Sequence, residues 1–218
     1  MYLEKIKIEG NRKRVLVLGL GSFGWTIATS LAQDGHEVFA ADKDEKIIKK
    51  INEFVSKTIL LDQIDEHILK EIGVNHFDIC IVAELVNCQV SNYSAITMKQ
   101  LGCSYVMATV ESDTDVKLLK KFGIDKIVNP AQEMASRLAY SLTTTDIIDY
   151  IELSGDYQIV ELIAPKEWIN KSLAELKLKE KHHITVLAVK PPSSDVIINP
   201  AGSVNINEND MLIVIATK

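Results

Sequence analysis

The stretch Arg14-Val-Leu-Val-Leu-Gly19-Leu-Gly21-Ser22-Phe23-Gly24 runs an apolar strand straight into three glycines spaced G-x-G-x-x-G. In that spacing Gly19 allows a tight turn at the strand end. Gly21 lets the backbone approach a phosphate with no Cβ in the way, and Gly24 lets the next helix pack close on the strand. The N–H groups and dipole of that helix then form an anion site. The next apolar run, Glu37-Val-Phe-Ala-Ala, ends in Asp42, eighteen residues past Gly24. A carboxylate in that position accepts hydrogen bonds from the ribose hydroxyls of an adenine nucleotide. A glycine-rich turn that merely packs a strand on a helix is the plainer alternative. Strand, helix and acid standing together argue against it.

Outward from this segment, the pattern alternates strand and helix as far as residue 130. Apolar runs at 15–18, 38–41, 58–61, 79–83 and 105–110 predict buried parallel strands. Helical patterns at 25–33, 45–54, 66–72, 89–101 and 116–122 separate them, with Gly35, Gly73, Gly102 and Gly123 just past helix ends. A short strand at 126–128 ends at Asn129-Pro130. The fold class is α/β, a doubly wound parallel sheet of Rossmann type. After Pro130 the pattern changes. A helix at 132–142 and the Thr143-Thr-Thr-Asp146 run precede short strands at 147–153, 158–163, 185–189, 196–198 and 211–216, with one helix at 172–176. The expected division is 13–130, a connecting helix and linker over 131–146, and a small α+β domain over 147–218.

Composition bounds the function. The 218 residues are 47% hydrophobic and 25% charged, ordinary for a globular chain. The formal charge of −6, with no offsetting basic patch, argues against a nucleic-acid surface. The three cysteines, Cys80, Cys88 and Cys103, lack C-x-x-C spacing and read as buried thiols in a reducing cytoplasm, with redox sensing the second reading. The first residues lack the apolar core of a signal peptide, and no apolar stretch is long enough to span a bilayer. The chain is therefore expected in the cytoplasm.

Several local motifs extend the reading. Gly35-His-Glu-Val-Phe-Ala-Ala-Asp42 follows the first glycines, then Phe77-Asp-Ile-Cys-Ile-Val-Ala83 with Asn87, and Gly123-Ile-Asp-Lys-Ile-Val-Asn-Pro130. Thr185-Val-Leu-Ala-Val-Lys190 and Asn199-Pro200 stand in the last module. On these motifs the chain resembles the cytoplasmic regulatory subunits of bacterial potassium uptake systems, the KtrA/TrkA type, built from RCK N-terminal and RCK C-terminal domains. The resemblance covers residues 13–218. It implies a homodimer that assembles into a higher ring, expected as an octamer. It also implies docking on a membrane potassium-translocating subunit at the inner face of the membrane, and gating by a bound adenine nucleotide, ATP/ADP or NAD(H). Carried over by position, Gly19, Gly21, Ser22, Phe23 and Gly24 hold the phosphates and Asp42 holds the ribose, with Lys43 just past it as a weaker substitute for a phosphate-binding cation. Asp62 and Gln63 line the adenine end, while Ala83, Glu84 and Asn87 follow the fourth strand. Cyclic di-AMP is a second ligand implied for the C-terminal domain, where Lys179 stands in place of an Arg and Asn199-Pro200 lines the cleft.

Two departures bear on the ligand. Many ATP-responsive members carry Arg where this chain has Ser22, and Lys where it has Ala108-Thr109. Losing both cations removes the obvious partners of a β- or γ-phosphate. The alternative function is an NAD-dependent oxidoreductase or an NADH-sensing redox regulator. An enzyme of that kind needs an acid–base group and an orienting cation in its second domain. That domain offers only His182-His183 in a polar turn and no Arg at all. No helix-turn-helix pattern supports a DNA-binding regulator. No catalytic residue and no metal site is expected.

Overall fold

The computed structural model describes residues 11–83, 87–143, 147–153 and 155–217. The chain divides into two compact units, 1–133 and 134–218. In the first, β1 (Arg14–Leu18), β2 (Glu37–Asp42), β3 (Lys57–Leu60), β4 (Ile79–Val82), β5 (Val106–Thr109) and β6 (Lys126–Val128) form one sheet. Its order is β3-β2-β1-β4-β5-β6, and every pairing is parallel. The alternation along β1 explains why both faces must be covered. Val15 and Val17 enter one core with Ala28 and Ile51, whereas Leu16 and Leu18 enter the other with Leu69, Met98 and Leu119. The first core lies under α1 (Ser22–Gln33) and α2 (Glu45–Ile51). The second lies under α3 (Glu66–Ile72), α4 (Cys88–Gln100) and α5 (Asp113–Lys121).

Helix ends follow from local chemistry. Asp44, Asp65, Asn87 and Ser112 each cap a helix by accepting a backbone N–H from its first turn. The Ser112 cap explains why α5 begins at Asp113 and not at the first apolar residue, Val116. Gly35, Gly73, Gly102 and Gly123 all have positive φ, the left-handed geometry that ends a helix at low steric cost. Val74–His76 adds a single 3-10 turn that the sequence pattern did not reveal.

α6 (Pro130–Thr143) leads into the second unit. There β7 (Ile147–Glu152), β8 (Tyr157–Ile163), β10 (Thr185–Lys190), β11 (Ile197–Ile198) and β13 (Met211–Thr217) form an antiparallel sheet of order β11-β10-β13-β8-β7. Val160, Leu162, Leu212 and Val214 put their side chains on one face, against Leu176, Leu178 and Ile206. β9 (Lys171–Ser172) and β12 (Asn205–Ile206) pair separately; strands of two residues are too short to show a period. The expected helix is α7 (Leu173–Leu176), closed by a Ser172–Glu175 capping box. Lys177 then turns left-handed at φ 49°, and α8 (Leu178–His182) follows where a polar turn was expected. Burial of Leu178 holds that extra turn against the core. Among the described residues, no helix is long and apolar enough to cross a membrane.

Candidate functional site

β1 and β4 are neighbours, and the connections from their carboxyl ends leave in opposite directions along the sheet. A crevice opens at such a switch point. Gly19 leaves β1 at φ 87° and its N–H bonds the Ala41 carbonyl at 2.9 Å, which ties the turn to β2. A Cβ on Gly24 would lie 1.9 Å from the Gly19 carbonyl oxygen and 3.1 Å from the Ala83 Cβ. Only glycine lets α1 come this close to the end of β1. A Cβ on Gly21, by contrast, would meet nothing within 4 Å. Gly21 caps α1 with no side-chain hydrogen bond, and no acidic residue stands in the first turn. The first N–H groups of a 12-residue helix are thus offered to an anion at the crevice.

Asp42 sits across the turn at the end of β2. Its Oδ2 accepts the Leu20 N–H at 2.6 Å, and its Oδ1 accepts the Asp44 N–H at 2.9 Å. Each carboxylate oxygen keeps a second lone pair for a hydroxyl donor. Beside it lies a cleft of about 350 Å³ whose lining includes Gly19, Asp42, Lys43, Asp62, Gln63 and Asn87. Six of the expected residues therefore converge from four separate loops. Asn87 has a second task, since its Oδ1 accepts the Val90 N–H at 3.2 Å and caps α4. Lys43 is the one cation among the described residues lining the cleft.

The other expected residues are placed differently. Ser22 is exposed at the start of α1, whereas the Phe23 ring packs against the core under that helix. Ala83 is buried at the end of β4, facing Gly24. Glu84 lies outside the described residues. The apolar walls of the cleft, Leu18, Leu61, Ile64 and Val90, escaped the sequence reading. Leu18 and Leu61 each stand at or just past the carboxyl end of a strand, and that position was the available signal. Thr109, in the place of the expected Lys, is buried, and its hydroxyl donates to the Val82 carbonyl at 3.4 Å.

Residues 15–130 match the TrkA-N domain and residues 157–218 the TrkA-C domain. The Ktr system potassium uptake protein C of Bacillus subtilis (strain 168) is 34% identical over 206 residues, 94% of this chain and 93% of that protein. The chain belongs to the Ktr/Trk potassium uptake family. The Ktr system potassium uptake protein A of the same organism is 32% identical over 206 residues, 94% of this chain and 92% of that protein. Among solved structures, the GsuK channel bound to NAD superposes with a TM-score of 0.67 at 19% identity, over 96% of this chain and 38% of that one. This likeness concerns the fold, and the Ktr/Trk chain spans well under half of the channel's length.

The C-terminal unit of this Ktr/Trk protein has a cleft of its own, of about 630 Å³. Lys177, Lys179, Thr185 and Pro200 stand on its rim, with Ile184 and Val186 among its apolar walls.

Proposed function

We propose that this chain is a regulatory subunit that binds an adenine nucleotide in the β1–α4 cleft and gates a membrane potassium-translocating subunit. One observation carries the reading: the N-terminus of α1, where the Gly21 cap makes no side-chain hydrogen bond, opens beside the anchored carboxylate of Asp42, in a chain of a potassium uptake family. Phosphate goes to the helix N-terminus, ribose to Asp42, and the base to the apolar wall of Leu18, Leu61 and Ile64. The twelve residues assigned to the site from the sequence remain the proposed contact set, and ATP, ADP and NAD(H) are its candidate ligands. The GsuK channel in its NAD-bound form supports including the dinucleotide.

The nucleotide acts by its difference in affinity for two states of an assembly, and the chain catalyses no reaction. The assembly is a homodimer that closes into a ring, proposed as an octamer at the inner face of the membrane. Met134, Leu138 and Leu142 recur every fourth residue on α6 and are exposed by 53%, 54% and 85%, an apolar stripe suited to pairing of copies. The chain works as a nucleotide-binding domain over 13–130, a connector over 131–146 and a C-terminal domain over 147–218. Cyclic di-AMP is the proposed second effector in the C-terminal cleft. Lys177 and Lys179 answer its phosphates there, and Ile184, Val186 and Pro200 face its bases.

Potassium flux into liposomes carrying the pore subunit tests this reading, with and without the chain and each nucleotide. Flux should change with nucleotide only when the chain is present. Flux indifferent to the chain refutes gating, and steady NADH oxidation with a small substrate would establish the oxidoreductase instead.

A further inference from the structure

Asn87 and Val90, the cap and the third residue of α4, both line the nucleotide cleft. Asn87, Cys88 and Gln89 are exposed, so burial does little to fix this turn. Inside the helix, the Ser91 N–H and hydroxyl bind back to the Asn87 carbonyl at 3.0 and 3.2 Å. The Ser94 hydroxyl does the same to the Val90 carbonyl at 2.7 Å. These bonds make the start of α4 one unit, and a link to another element must hold that unit in place.

Asn92 supplies such a link. It is buried, and its Nδ2 donates to Oδ1 of the half-buried Asp115 at 2.6 Å, in the first turn of α5. The other carboxylate oxygen accepts the Ser112 hydroxyl at 2.6 Å, and the Ser112 oxygen accepts the Asp115 N–H at 3.2 Å. Asp115 is thus fixed by the cap of its own helix and presents one oxygen to α4. A bond to a charged acceptor is short and strong, and breaking it strands a buried amide donor.

We propose that Asn92 and Asp115 are positioning residues for the nucleotide cleft. The inference rests on the nucleotide reading of that cleft. Both residues stand outside its lining and act through Asn87 and Val90. The Asn87 Oδ1 is taken by the Val90 N–H, which leaves its Nδ2 as the group offered to a ligand. A donor of this kind serves a ligand only when held to within about 0.5 Å. The Asn92–Asp115 bond locks the start of α4 against the start of α5 and supplies that constraint.

Calorimetry with NADH, ADP and ATP on the full-length chain tests the pair, with urea unfolding beside it. Asn92→Asp sets two carboxylates against each other, and Asn92→Ser shortens the donor without adding charge. Each should weaken nucleotide binding by about tenfold on protein that remains folded, and Asn92→Ser carries the comparison wherever Asn92→Asp unfolds. The double variant Asn92→Asp with Asp115→Asn rebuilds the bond with its roles reversed and should recover most of the affinity. A purely structural bond would lower the urea midpoint and leave the affinity of the folded chain unchanged. Parental affinity in the single variants therefore overturns the proposal, as does a double variant that binds no better than Asn92→Asp. A parent chain that binds none of the three nucleotides would refute the cleft reading itself, and this proposal with it.

Discussion

The carboxylate of Asp42 accepts the backbone N–H of Leu20 at 2.6 Å, so the end of β2 clamps the turn between Gly19 and Gly21. The residue proposed for the ribose is therefore also a structural brace of the glycine turn. Asp42→Ala loses this bond and the one to Asp44, and should cost about 2 kcal/mol in urea unfolding, the usual range for a bond to a charged group. Nucleotide affinity should fall further than that of Asp42→Asn, which keeps an acceptor oxygen. Calorimetry on both variants distinguishes brace from ligand contact.

The same carboxylate should reject a 2′-phosphate, because like charges would meet at close range. NADPH is expected to bind at least about tenfold more weakly than NADH, a difference of ~1.4 kcal/mol. Direct competition measures the ratio, and equal affinities would place Asp42 away from the ribose.

Gly21 and Gly24 should separate function from folding. Gly24→Ala forces a Cβ onto the Gly19 carbonyl, a backbone clash at 1.9 Å, and should cost about 3 kcal/mol in overpacking. Gly21→Ala meets open space and should stay within about 1 kcal/mol of the parent, the size of an N-cap change. A bulky Gly21→Leu should leave thermal unfolding near normal and abolish nucleotide binding. Unchanged binding would move the phosphates elsewhere.

Ser22→Arg tests the missing cation. Ser22 is exposed at the first position of α1, so the longer side chain can be accommodated without repacking. A guanidinium there supplies forked donors to a terminal phosphate. The ATP-to-ADP affinity ratio should rise by about tenfold. A ratio that stays constant would show that the terminal phosphate does not reach this position.

Asp125 predicts an acid limb of stability. Burial raises its pKa, but the Lys99 ammonium at 2.6 Å and the Val106 N–H at 2.7 Å outweigh it, and the net shift is downward. A carboxyl lowered on folding stabilises the native state fully above its unfolded value of about 3.9. That contribution is lost as pH falls through the folded value. Asp125→Ala should therefore lose about 2 kcal/mol at pH 7 and show a smaller difference from the parent towards pH 3. Urea midpoints across that range give the comparison.

Much of this site could be read in the chain. The glycine spacing, Asp42 at the end of the second apolar run, and the glycines after α1, α3, α4 and α5 have local causes in backbone geometry and hydrogen bonding. The three-residue error at the start of α1 is equally local. Its N-terminus is set at Gly21, whereas the sequence reading began the helix only after Gly24, the last glycine of the motif. The apolar wall of the cleft was not legible, since Leu18, Leu61, Ile64 and Val90 look like ordinary core residues until the strands stand side by side.

By itself, the sequence determined the alternating α/β pattern, the glycines that end helices and the class of site, because period, capping and turn chemistry act within a few residues. The tertiary structure decided what meets across the sheet. Pairing of β1 with β2 brings Asp42 to Leu20, and pairing of β4 with β5 sets α4 beside α5, where Asn92 meets Asp115. Such contacts depend on strand order and register, which join residues far apart along the chain and leave no periodic mark on it.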